Sequence, residues 1–322
     1  MDLALPEVAT QFAAATDRAI AQAGGIELAR RAEADPTLRA GEVKAMFDAL
    51  GIPDLDPRSD LESAAMAAEL VRVAGRSVVP FPVVGYLMAR PPDGIPSALA
   101  SAYPLRVDHG DLFEQWLVHD FDGGVTLARP TTPLRGSLLA PFTADLESEH
   151  PPEPAGADED VRLLCVLWSS YLLGVGEYAL ELAVDHVKSR VQFGRPLSEL
   201  QSVRFQIADA TVAVDGLREL VHFALWRGSA YPHSALTDAL ATRFQAQEVI
   251  QPLLRTCQQL HGASGLCDEY DISVLVRHTQ PALRLPVDSD AMSGILFEAI
   301  QRQGFDTLFP LRAVDGTLRE IA

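Results

Sequence analysis

The sequence is short of cysteine, of positive charge and of uninterrupted apolar stretches, and each shortage removes a class of protein. Cys165, Cys257 and Cys267 are an odd number with no Cys-x-x-Cys pair. That argues against a disulfide framework and fits reduced thiols in a cytosol. The eight histidines show no metal-ligand spacing, so no metal is expected. Only 26 Lys and Arg stand against 44 Asp and Glu, a formal charge of −18. Nucleic acid and anionic membrane surfaces need clustered bases and are not expected as partners. An anionic ligand would need a site built locally, from a few arginines and helix N-termini. No apolar run reaches the ~18–20 residues of a membrane span. The opening Met-Asp-Leu-Ala-Leu-Pro-Glu carries acids where a secretory signal carries bases. A cytoplasmic protein is the expectation.

What is there suffices for a large core: 322 residues, 48% of them hydrophobic, enough for two domains or one with insertions. Residues 1–92 read as helical, with an Ala-rich segment at 12–20, an amphipathic one at 42–50 and good helix formers at 61–73. Pro53, Pro57, Pro80 and Pro82 punctuate these pieces. Residues 93–157 turn rich in Pro and Gly, with short strands at 115–119 and 124–128 joined by Asp-Phe-Asp-Gly-Gly turn chemistry. Residues 147–160 read as an exposed, acidic connection.

From Val161 three long helical stripes follow. Leu164, Trp168, Tyr171, Val175, Tyr178 and Leu182 make the first; Val203, Ile207, Ala210, Val214, Leu217 and Val221 the second. Leu236, Leu240, Phe244, Ile250, Leu254 and Cys257 make the third, with Pro252 expected to kink it. The expected fold is mostly α: an N-terminal helical domain (1–92), a reduced small β domain (93–157) and a C-terminal antiparallel four-helix bundle (158–322).

Two strings stand out: Arg190-Val-Gln-Phe-Gly-Arg-Pro-Leu-Ser-Glu-Leu-Gln201, and Gln259-Leu-His-Gly-Ala-Ser-Gly265. By its chemistry alone, Arg190 is either a phosphate ligand or a helix C-terminal cation. Gln201 either completes a capping box with Ser198 or faces a ligand. The glycines at 262 and 265 allow either a close backbone approach or a helix C-cap. Gly174-Val-Gly-Glu-Tyr-Ala179 fits the dinucleotide fingerprint only as a string, since it lies mid-helix with no preceding strand. Gly262-Ala-Ser-Gly265 is not a nucleophile elbow.

The two strings, with the run from Leu173, Glu269-Tyr-Asp and Arg277, closely resemble the carboxy-terminal helical domain of acyl-CoA dehydrogenases over residues 160–280. The resemblance implies FAD, with Arg190, Phe193, Gln201, Gln259, Leu260, His261, Gly262 and Ala263 contacting a cofactor held largely by a neighbouring subunit. Phe193 could equally plug the core as a loop aromatic. Gly262-Ala263 departs from the family's usual Gly-Gly.

A dehydrogenase of this kind also needs a carboxylate to take the α-proton of the thioester. The family's Glu-Gly-Thr string after the arginine matching Arg277 is replaced by Leu283-Arg-Leu-Pro-Val-Asp288-Ser. Asp288 is the nearby acid and reads as an exposed loop residue. Asp158, Glu159 and Asp160, near the family's other location for the base, read as a solvated linker. Nothing between Met88 and Gly110 matches the strand that lies along the flavin ring. The resemblance is therefore nearest to the smaller, base-less subunit of heteromeric α2β2 enzymes that oxidise steroid side-chain acyl-CoA thioesters. It implies a larger dehydrogenase-like partner and an electron-transfer flavoprotein as acceptor. A self-sufficient homomer, and a non-catalytic helical scaffold with a vestigial flavin loop, remain as alternatives.

Overall fold

Ala-rich and well-capped stretches become helices where the sequence favours them. The computed structural model describes residues 3–89, 94–100, 105–131, 137, 139–148, 150–192 and 194–303. The first segment is α1 (Glu7–Ala23), α2 (Glu27–Ala34), α3 (Lys44–Ala49), α4 (Leu61–Arg76) and α5 (Val83–Leu87). Gly24, at φ 118°, ends α1 in the left-handed conformation. The Asp60 carboxylate accepts from the Ser63 N–H and starts α4. The amphipathic stretch at 42–50 is shorter as α-helix than expected, because a π-turn at Arg39–Val43 precedes α3.

The middle segment is a six-stranded sheet. It comprises β1 (Ser97–Leu99), β2 (Leu105–Asp108), β3 (Trp116–His119), β4 (Gly124–Pro130), β5 (Thr143–Ser148) and β6 (Glu153–Pro154). The expected hairpin is β3–β4, with His119 opposite Val125. Asp120 accepts from the Asp122 and Gly124 N–H groups, and Gly123 supplies the positive φ of its turn.

The third segment is helical again. It runs from α6 (Asp158–Ser189) through a small hairpin of β7 (Val191–Gln192) and β8 (Arg195–Pro196) into α7 (Gln201–Ala230). Then come α8 (Leu236–His261), α9 (Asp271–Arg284) and α10 (Ser289–Gln303). The apolar stripes of α7 and α8 are buried at Val203, Ala210, Val214, Leu217, Leu240, Ile250 and Leu254. Pro252 lies exposed within a continuous α8.

α6 is the longest helix of this segment. It is long and apolar enough by composition to cross a membrane, with a mean hydropathy of 1.4, but 78% of that window is buried inside the protein. It is the core helix on which α4, α7, α8 and α9 pack. Its contact with α4 is backbone-close. A Cβ at Gly174 would collide with the Arg72 carbonyl, and one at Gly75 with the Tyr171 carbonyl. The dinucleotide-like string is thus a helix-packing device.

The acids at 158–160, expected to be a solvated linker, are not one. They form the first turn of α6, where negative charge suits the helix dipole. Asp160 is buried at 2% exposure and accepts from Arg58 Nε at 2.6 Å.

Candidate functional site

The two strings that stand out in the sequence meet at one end of the bundle. Arg190 caps the C-terminus of α6 and begins the β7–β8 hairpin, and its carbonyl accepts from the Leu197 N–H at 2.9 Å. One turn earlier on the same face of α6 is His186. Its ring stacks on His261 at the end of α8, centroids 4.4 Å apart and 29° between planes. His261 Nδ1 donates to the Cys257 carbonyl at 2.7 Å, so the backbone fixes its ring. Burial, the neighbouring His261 and the Arg190 charge together lower the pKa of His186 below its ordinary value. His186 joins the candidate site through this contact, and the sequence reading missed it. Its signal was the spacing of four from Arg190, which puts both on one helix face.

The surface around this stack is open and locally basic. Arg190 is exposed, and among the described residues its guanidinium makes no hydrogen bond or ion pair. Lys188, Arg195, Arg204 and Arg255 are exposed on the neighbouring segments. Gln201 is exposed as the first residue of α7, whose N-cap, Leu200, makes no side-chain cap bond. The capping box with Ser198 does not form, so Gln201 is left with its side chain unspent. Gln259 is exposed on the last turn of α8.

Gly262 takes φ 61° and ψ −139°, a conformation nearly restricted to glycine, and nothing lies within 4 Å of where its Cβ would be. Ala263 is exposed beside it, whereas Leu260 packs into the core and presents only backbone. Phe193 lies outside the described residues. An exposed guanidinium, an uncapped helix N-terminus and an open glycine turn can together receive a diphosphate. The residues present fit the anionic part of FAD.

Arg277 and the Glu269-Tyr-Asp segment serve another purpose. Arg277 is buried, donating to Glu33 at 3.0 Å and to Asp268 at 2.6 Å, and His278 Nε2 meets Glu33 at 2.7 Å. Arg30 pairs with Asp271 at 2.9 Å. These bonds clamp α2 to α9.

Beyond α9, Leu285 and Pro286 form one wall of a cleft lined also by Asp108, Trp116 and Trp168. The cleft encloses about 30 Å³, room for one or two waters, whereas ligand pockets span roughly 300–1,000 Å³. Beside it, packed side chains fill the space: Arg39 lies 4.3 Å over Phe142, which stacks on His109 at 5.0 Å and meets His278 at 5.8 Å. Burial pushes the Asp108 carboxyl up to about 7, against the opposing pull of Arg39. Burial also holds His109 well below its ordinary value. The sequence reading missed this polar cluster, because its members come from three distant segments.

Asp288 is exposed, and its carboxylate accepts from the Ala291 N–H at 3.1 Å as a cap of α10. Asp158 and Glu159 are exposed on the first turn of α6.

Comparison with known proteins follows the same lines. Residues 166–283 match the acyl-CoA dehydrogenase, C-terminal domain family. Over 242 residues the chain is 28% identical to acyl-CoA dehydrogenase IpdE2 of Mycobacterium tuberculosis, covering 69% of this chain and 73% of that one. The fold is shared with a chain of the ChsE4-ChsE5 complex from Mycobacterium tuberculosis, with TM-score 0.76, 17% identity, and 94% and 99% of the two chains covered. It is shared as well with a chain of the Tcur3481-Tcur3483 steroid ACAD, with TM-score 0.77, 17% identity, and 92% and 98% covered. The carboxy-terminal helical part of this protein matches the acyl-CoA dehydrogenase C-terminal domain over residues 166–283, and the chain carries the acyl-CoA dehydrogenase fold.

Proposed function

We propose that this chain is the base-less subunit of a heteromeric FAD-dependent acyl-CoA dehydrogenase that introduces an α,β double bond into a bulky, steroid-type acyl-CoA thioester. The observation that carries this reading is an imbalance between two regions. The surface around Arg190, His186, His261 and Gly262 is open and basic, while the central cleft has room for about 30 Å³. The similarity to chains of a two-component complex and of a steroid enzyme supports the partner and the substrate class.

In this reading Arg190 neutralises the cofactor's diphosphate, while the α7 N-terminus and Gln201 add donors. Gln259 and the backbone of Leu260, His261, Gly262 and Ala263 line the remaining contact. His186, kept neutral by its surroundings, holds His261 in place without adding a mobile proton. FAD, when bound, supplies the hydride acceptor, and an electron-transfer flavoprotein takes the electrons onward.

No carboxylate described here is suited to the proton. Leu285 and Pro286, in the segment that replaces the family's Glu-Gly-Thr string, carry no acid, and Asp288 caps α10 at the surface. Asp108 lines a cleft too small for an acyl chain. The base, on this account, belongs to the larger partner.

Steady-state kinetics on the co-purified complex tests this. Asp288→Asn and Asp108→Asn should each leave turnover nearly unchanged. A lost general base costs ~10²–10⁴ in rate, so a drop of that size in either variant, with FAD retained, would mean that this chain carries the base.

A further inference from the structure

At the end of α6 remote from Arg190, a second arginine has been built into the fold without a partner to match. Arg162 is 7% exposed, and its Nε is buried with no hydrogen-bond acceptor. The nearest carboxylate is Glu159 at 3.7 Å, whose own side chain is 54% exposed. α7 makes room for the guanidinium with Gly228, where a Cβ would collide with Nη1. Burial lowers the Arg162 pKa, with Glu159 opposing weakly. A guanidinium enclosed this way is short of an oxyanion.

The side chain lies in the wall of a pocket of about 220 Å³ between the starts of α4 and α6 and the end of α7. The neighbouring cation is spent: Arg58 donates to Asp160 at 2.6 Å, to Asp56 at 3.0 Å and to the Met88 carbonyl at 2.9 Å. Asp60 is occupied in capping α4. Ser59 and Ser229 add polar groups, while Leu61, Leu163 and Leu225 supply apolar wall. A fork of donors matches a carboxylate, and the leucines match a short alkyl tail. With Asp60 and Glu159 close by, a single negative charge is accommodated better than two. The volume falls below that of pockets for larger ligands, ~300 Å³ and upward.

We infer that the pocket between α4, α6 and α7 binds a short-chain monocarboxylate, its carboxylate on Arg162 and its tail against Leu61. The site stands apart from the flavin-contact surface, and the inference is independent of the function proposed above.

Saturation-transfer NMR on the full chain tests it with butyrate, butyramide and inorganic phosphate at matched ionic strength. Butyrate should bind saturably and butyramide roughly tenfold or more weakly, as expected when a charge-assisted bond is lost. Phosphate should not displace butyrate. Arg162→Met should abolish the signal, Arg162→Lys should weaken it, and Arg190→Ala should leave it intact. Equal binding of butyramide, displacement by phosphate, or no saturable butyrate signal would overturn the proposal, and these comparisons need only the unaltered protein.

Discussion

Single residues divide this protein into an open, basic surface and a centre that has been filled. Arg190 is the clearest example of the first. A charged hydrogen bond to phosphate contributes about 1.5–3 kcal/mol, so Arg190→Ala should weaken FAD binding by the co-purified complex roughly ten- to hundredfold. Its melting temperature without added FAD should not move, because the exposed guanidinium holds nothing else in place. Gln259→Ala should act in the same direction more weakly. Titration of the apo-complex with FAD checks both, and full affinity in both variants would favour a vestigial flavin loop.

Asp108 exemplifies the filled centre. Its folded-state pKa of about 7 lies above the ordinary 3.8, so its favourable contribution is complete below about pH 3.8 and is lost as pH rises towards and through 7. Asp108→Asn carries no such penalty. Relative to the unaltered protein, its urea midpoint should therefore improve between pH 5 and pH 8. A constant difference across that range would mean that the carboxyl is not buried as described. At this scale legibility was uneven. Arg190, Gln201, Gln259 and Gly262 could be proposed from the sequence because each belongs to a contiguous string. His109, Phe142, His278 and Glu33 could not, since only folding brings them together. Asp160 was misread because composition cannot show that Arg58 reaches it from a distant loop.

Elements were more legible than single contacts. The stripes on α7 and α8 and the β3–β4 hairpin follow directly from apolar periodicity and turn chemistry. α6 was readable as a helix but not as the centre of the molecule, because a helix apolar on most sides looks alike whether proteins or lipids surround it. What distinguishes it is the close crossing with α4 at Gly75 and Gly174. Gly174→Ala should cost about 1–3 kcal/mol as an overpacking substitution, despite the higher helix propensity of alanine. Gly216→Ala on α7, where nothing lies within 4 Å of a Cβ, should be neutral or stabilising. Chemical denaturation of the two variants checks the contrast, and equal effects would contradict the α4–α6 crossing.

At the scale of the whole molecule, a chain of formal charge −18 concentrates exposed bases where α6 ends and α7 begins. It also leaves large apolar groups uncovered nearby: Val191 and Phe205 at 59% exposure, Val212 and Leu266 at 73%. Phe205 and Val212, seven residues apart, share one face of α7. On the function proposed above, this face of α7 is where the larger dehydrogenase-like subunit would dock. The central claim is that this chain completes a flavin site that it cannot form alone. It is tested most directly by the FAD content of the purified chain, measured from its flavin absorbance, with and without a co-expressed dehydrogenase-like partner. The account predicts a colourless chain when purified alone and a stable complex with about one FAD per pair of unlike chains. A yellow, active homo-oligomer formed by this chain alone would contradict it.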